Sequence, residues 1–137
     1  MVMADNFNFE LVSPERLLVS GSVSEVVIPA TEGEMTVMAN HAPTMTTIKP
    51  GIVTVKFADG RKDRYVVFGG FADIVPTGCT LLAESAVHVD EFNRDDIARR
   101  VEAARADLST ATSDEQKFGI ETYLSQLTTL QGAILPA

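Results

Sequence analysis

The apolar residues of this chain change their spacing once, near residue 88, from every second position to about every 3.6. A chain with two such periods cannot be one uniform layer. The expected fold is an all-β N-terminal domain over residues 1–88, a sandwich or flattened barrel of short antiparallel strands, followed by an antiparallel α-helical hairpin over 89–137. A length of 137 residues suits one ordinary core, or a small one with an appendage.

From Phe7 to Ala86 turn-forming residues interrupt the chain every six to twelve positions, and the runs between them are rich in Val, Ile, Phe and Thr. "FNFELV" places Phe7, Phe9 and Leu11 on one face. "IVTVKFADG" does the same with Val53, Val55 and Phe57 before an Asp59-Gly60 turn, which predicts a hairpin into "RYVVFGGF". Val66 to Phe68 are apolar on both faces, as in a strand covered on both sides. Gly69-Gly70 then marks a bulge or a close backbone contact, and no helix start follows to make it a phosphate cradle.

Asn93 caps the first predicted helix, with Ile97, Val101, Ala104 and Leu108 on its apolar face; Asp95 with Arg99, and Asp96 with Arg100, are spaced to pair along its surface. Ser113 and Gln116 stand at capping-box spacing for a second helix, with Asp114 and Glu115 in its first turn. Its stripe is Ile120, Tyr123, Leu124, Leu127, Leu130 and Ile134, with an end near Pro136.

Composition narrows the chemistry. Eleven basic against nineteen acidic side chains give a net charge of −8, which disfavours nucleic acid and anionic lipid as partners. The densest basic group, Arg61 to Arg64, contains Asp63 and adjoins the Asp-Gly turn, and reads as a solvated hairpin end. A lone Cys79 in the apolar run "CTLLA" reads as a buried, inert thiol and fits a reducing compartment. His41 and His88 lack metal-ligand spacing, so no metal site is expected. No run approaches the roughly 20 apolar residues of a membrane span, and the first fifteen residues lack the features of a leader, so no direct membrane insertion is expected. No nucleophile elbow, phosphate loop or dinucleotide fingerprint occurs, and the reading is of a protein without catalytic residues. "NHAP" reads as a turn in which Asn40 adopts positive φ and the His41 imidazole bonds nearby backbone.

The order of "FELVSPERLLVSG", "VVIPATEGEMTVMANHAPTMTTIKPG", "VFGGFADI" and "LLAESA" resembles the epsilon subunits of F-type proton-translocating ATP synthases over essentially the whole chain. The resemblance implies a non-catalytic rotor component on the cytoplasmic face of a bacterial inner membrane. Its sandwich would grip the gamma subunit and rest on the ring of c subunits, and so help couple proton flow to ATP synthesis. It also implies docking residues: Glu32 and Glu34 in the acidic "EGE" turn, with His41 and Pro43 of the "HAP" segment on the same side of the sandwich. Thr36 stands where the family commonly has Gly, and Ala39-Asn40 where it has Pro-Gly. In some members the hairpin binds ATP through an aspartate-containing motif. "VEAARA" is similar, with Arg105 matched but Glu102 in place of the aspartate, and Lys117 is the second helix's one cation. No cofactor is expected, and Glu102 with Arg105 otherwise reads as a surface pair. Inhibitory members use basic helix residues against an acidic loop of the catalytic beta subunit. Here the stretch from Ser113 onward carries three acidic side chains and one basic one, so the hairpin is expected to inhibit weakly or not at all. The alternative is a free-standing adaptor, or a small-ligand-binding β domain with a helical lid.

Overall fold

A computed structural model of the chain describes residues 6–134, with Ile134 described by its backbone alone. It divides into two compact units, one up to Asp90 and one from Glu91 onward.

Seven strands build the first unit: β1 (Phe7–Val12), β2 (Leu17–Ala30), β3 (Gly33–Met38), β4 (Thr44–Phe57), β5 (Lys62–Val75), β6 (Gly78–Ala83) and β7 (Ala86–His88). Hydrogen bonding runs β1-β6-β5-β4-β2-β3, and β1 also pairs with β2, which closes the sheet into a flattened barrel. All pairings are antiparallel except β1 with β6. Period-two alternation fills the interior. Phe9, Leu11, Val53, Val55, Ile74 and Leu81 are fully buried, each contributing about 1.5–3 kcal/mol relative to an exposed side chain.

The predicted β4–β5 hairpin forms. Gly60 takes φ 93 in its turn, and Asp59 accepts from the Arg61 amide at 3.0 Å and from its Nε at 3.1 Å. These bonds hold the Asp59 carboxyl below its usual range. The Arg61 guanidinium lies 4.5 Å over the Phe57 ring, so this basic end is solvated and locally satisfied. Farther along β5, Tyr65, Val66, Val67 and Phe68 are buried in succession, as a strand covered on both faces requires. Gly69 and Gly70 follow at φ 105 and 129 without disturbing the β4–β5 register. The role of Gly70 is close approach, because a Cβ there would overlap the Leu82 carbonyl oxygen, whereas one on Gly69 would meet the Glu84 side chain.

The second unit is a helical hairpin of α1 (Arg94–Thr110) and α2 (Asp114–Ile134). Asn93 caps α1 by accepting from the Asp95 amide at 2.9 Å. The capping box of α2 is reciprocal: Ser113 Oγ accepts from the Gln116 amide at 3.1 Å, and Gln116 Oε1 from the Ser113 amide at 3.4 Å. Ile97 and Ala104 of α1 and Leu127 and Leu130 of α2 are buried, whereas Val101, Leu108, Ile120, Tyr123 and Leu124 are half-buried. The expected place of the Ile134 side chain in the stripe, and an end near Pro136, lie outside the described residues. One surface pairing differs from expectation. Arg99 turns to Asp96 at 3.2 Å rather than to Asp95, and Arg100 reaches the same carboxylate at 3.8 Å, since neighbours three and four apart are nearly equidistant on a helix.

Gly70→Ala is expected to destabilise the β unit by about 3 kcal/mol, the upper range for a residue forced into a sparsely populated backbone region. Gly21→Ala, whose Cβ would meet nothing within 4 Å, is expected to shift stability by under about 0.5 kcal/mol. Urea unfolding followed by far-ultraviolet circular dichroism compares the two; equal midpoints would remove the close-approach role of Gly70.

Candidate functional site

The "NHAP" segment is a fixed turn. Asn40 adopts φ 65, and its amide donates to the Pro76 carbonyl at 2.9 Å, tying the segment to the β5–β6 turn. His41 Nδ1–H donates to the Ala42 carbonyl at 2.7 Å, and Thr44 Oγ1 donates to the same oxygen at 3.0 Å. One ring nitrogen of His41 therefore shapes its own turn, while Pro43 is exposed beside it. The "EGE" turn is equally pinned, because the amide and hydroxyl of Thr31 both donate to the Thr47 carbonyl at 2.9 Å. Glu32 projects from this turn, and Glu34 stands opposite Pro29 at the start of β3; both are exposed. The fold thus brings Glu32 to Glu34 and His41 to Pro43. It sets the two pairs at opposite ends of β3, a strand about 17 Å long at a rise of about 3.3 Å per residue.

Glu102 and Arg105 meet at 3.5 Å with side chains 75% and 67% exposed, a solvated surface pair on α1. Among the described residues no group of His, Cys, Asp and Glu is placed to hold a metal ion, and no helix is long and apolar enough to cross a membrane. Burial, aided by the negative charge of Asp73, pushes the Cys79 thiol up to about 12, which leaves it protonated and unreactive at neutral pH.

The feature that spacing does not disclose is a row of apolar side chains running across four strands. Leu17 of β2 stands opposite Val12 of β1, Val12 beside Leu82 of β6, and Leu82 opposite Phe71 of β5. Leu17, Leu82 and Phe71 are 53%, 41% and 43% exposed. A register slip between Leu11 and Val12 makes the row continuous. It lets Leu18 pack against the core while Leu17 falls opposite Val12. Beside the row lies a groove of about 420 Å³, walled by Val12, Pro14, Phe71 and Leu82, with Glu84 on its rim. Contiguous exposed apolar surface with a charged border is what a protein partner covers. The one local hint is the alternation in "FADIV", which turns Phe71 away from Ala72 and Ile74.

The family described as ATP synthase, Delta/Epsilon chain, beta-sandwich domain matches residues 6–89. ATP synthase epsilon chains of Rhizobium etli and Rhizobium meliloti are each 67% identical to this chain, over 96% of it and 98% of the relative in the first case, and over 98% and 100% in the second. Among solved structures, a chain in the OSCP/F1/c-ring of the Euglena gracilis mitochondrial ATP synthase is 28% identical at a TM-score of 0.73, covering 98% of this chain and 84% of that one. A chain of the Tetrahymena thermophila mitochondrial ATP synthase central stalk and c-ring shares the fold at a TM-score of 0.67 and 12% identity, over 95% and 99%. With the sandwich matched throughout and the full length shared with the rhizobial proteins, the chain belongs to the family of ATP synthase epsilon chains.

Proposed function

We propose that this chain is a non-catalytic subunit of the central rotor, joining the gamma subunit to the c-ring and helping couple proton transport to ATP synthesis at the cytoplasmic face of a bacterial inner membrane. The observation that carries the reading is the exposed row Leu17, Val12, Leu82 and Phe71, on a rigid closed sheet in a chain of this family. A rotor coupling element has to transmit torque. A preformed apolar surface on a closed barrel can grip an elongated partner without paying for ordering its own loops. The row is assigned to the gamma subunit, and the acidic turn with Glu32 and Glu34, backed by the bonds from Thr31, to the polar loops of the c-ring. His41 and Pro43 shape the turn at the opposite end of β3, a second contact assigned to the same rotor partners. The rhizobial origin of the 67%-identical relatives supports the bacterial setting.

Charge decides the reading of the hairpin. Asp114, Glu115 and Glu121 outnumber Lys117 on α2, and Arg105 on α1 is paired with Glu102. A surface of this sign is repelled by an acidic loop of a catalytic subunit, so the hairpin is a weak inhibitor of ATP hydrolysis or none. Its Glu102–Arg105 pair serves the helix surface, and no ATP-binding role is assigned to it.

Three outcomes are expected. Phe71→Asp, at an exposed position, leaves the chain folded and weakens binding to its gamma subunit by about 2 kcal/mol or more, roughly thirtyfold in Kd by titration calorimetry; unchanged affinity would remove the row from the interface. Glu34→Arg in reconstituted enzyme roughly halves ATP-driven proton pumping or worse at constant hydrolysis, as reversed charge at a docking contact implies; normal pumping would end the assignment of Glu34. Deleting the hairpin after Asp90 changes the hydrolysis rate of the assembled enzyme by less than about twofold, and a tenfold rise would defeat the charge argument.

A further inference from the structure

The second histidine is engaged at both ring nitrogens, at the point where the chain leaves the β unit. His88 ends β7, whose register on β5 sets it opposite Tyr65. Its ring meets the Tyr65 ring edge-on, with centroids 5.1 Å apart and planes at 85°. Nε2 lies 2.9 Å from Asp63 Oδ1, and the backbone amide of Asp90 donates to Nδ1 at 3.1 Å. An amide N–H can only donate, so Nδ1 carries a lone pair and the single imidazole proton sits on Nε2, pointing at the Asp63 carboxylate. This arrangement accommodates one protonation state and one tautomer. It joins β5, β7 and the 3₁₀ turn Val89–Glu91 through one side chain.

We infer that His88 is a proton-operated clamp on the exit of the chain: the neutral imidazole holds the Asp90 amide against the sheet, and uptake of a proton at Nδ1 releases it. The proton comes from solvent, since the His88 side chain is 26% exposed. The groups facing the ring are the carboxylate of Asp63 from β5, the carboxylate of Asp90 from the turn, and the edge of Tyr65. Asp90 Oδ2 already lies 3.7 Å from Nδ1, so once Nδ1 carries hydrogen it bonds this carboxylate in place of accepting from the amide. Exchanging one Asp90 group for the other rearranges the turn Val89–Glu91 and frees the Asp90 amide from the His88 ring. The device uses side chains of the β unit alone, and no other part of the proposed function depends on it.

The test is a pH titration of the ¹⁵N-labelled full chain by nuclear magnetic resonance, from about pH 8 to about pH 5, the interval in which histidines change charge. At the alkaline end the His88 ring nitrogens are expected to report the Nε2–H tautomer. On acidification the Asp90 amide resonance is expected to shift with the same midpoint as the His88 ring and to lose its protection from solvent exchange, while the titration of His41 leaves it unmoved. In His88→Gln the residue 90 amide is expected to be flat across the interval. In Asp90→Asn, which keeps the backbone donor but removes the replacing carboxylate, that amide is expected still to follow the ring. An Nδ1–H tautomer at the alkaline end, an amide indifferent to the His88 titration, or an equal shift in His88→Gln would each overturn the clamp.

Discussion

The β unit depends on one short strand. β1 has six residues, yet it pairs antiparallel with β2 on one side and parallel with β6 on the other, and without it the sheet would be open at both of those strands. Closure removes two hydrogen-bonding edges and places Phe7, Phe9 and Leu11 at the centre of the core. It also builds the outer apolar row, because Val12 is the residue that bridges Leu17 to Leu82. The same strand therefore supplies stability on its inner face and a link in the apolar row on its outer one.

What could be read from the sequence follows the range of the interactions involved. The strand character of "FNFELV", the Asp59-Gly60 hairpin, the Asn93 cap and the Ser113–Gln116 box are each decided within a few residues, and period and turn chemistry disclose them. The Asn40 turn belongs to this class, since positive φ and a side chain bonded to its neighbour are local matters. The apolar row does not. It needs a parallel pairing between segments about 70 residues apart and a one-residue slip that turns Leu17 outward, and neither leaves a periodic trace. The contact of His88 with Asp63 is illegible for the same reason: it exists only because β7 continues the register of β6 along β5. The docking role proposed for Glu32, Glu34, His41 and Pro43 rests on resemblance alone. The fold adds that β3 holds them in two separate pairs.

The glycines of β5 show how a sheet can turn a corner without losing its register. The register on β4 is unshifted from Lys62 to Ile74, while Gly70 lets the β6 backbone come close enough to pair with the second half of the strand. Tyr65 to Phe68 are buried in succession, and beyond the glycines the strand presents Phe71 to the outside, so one strand passes from core to exposed apolar surface.

The parallel β1–β6 ladder bears on how this protein is made. At about 5–20 residues per second, a ribosome that has completed β1 takes roughly 4–14 s to deliver the residues that will lie beside it. β2 arrives early and covers one edge of β1 as a local hairpin. The other edge waits with its amides and carbonyls unpaired and three large apolar side chains without a complete core. During that interval the nascent chain is a substrate for chaperones and for mispairing with its neighbours on the polysome, and the hairpin helices are synthesised only after the interval has ended.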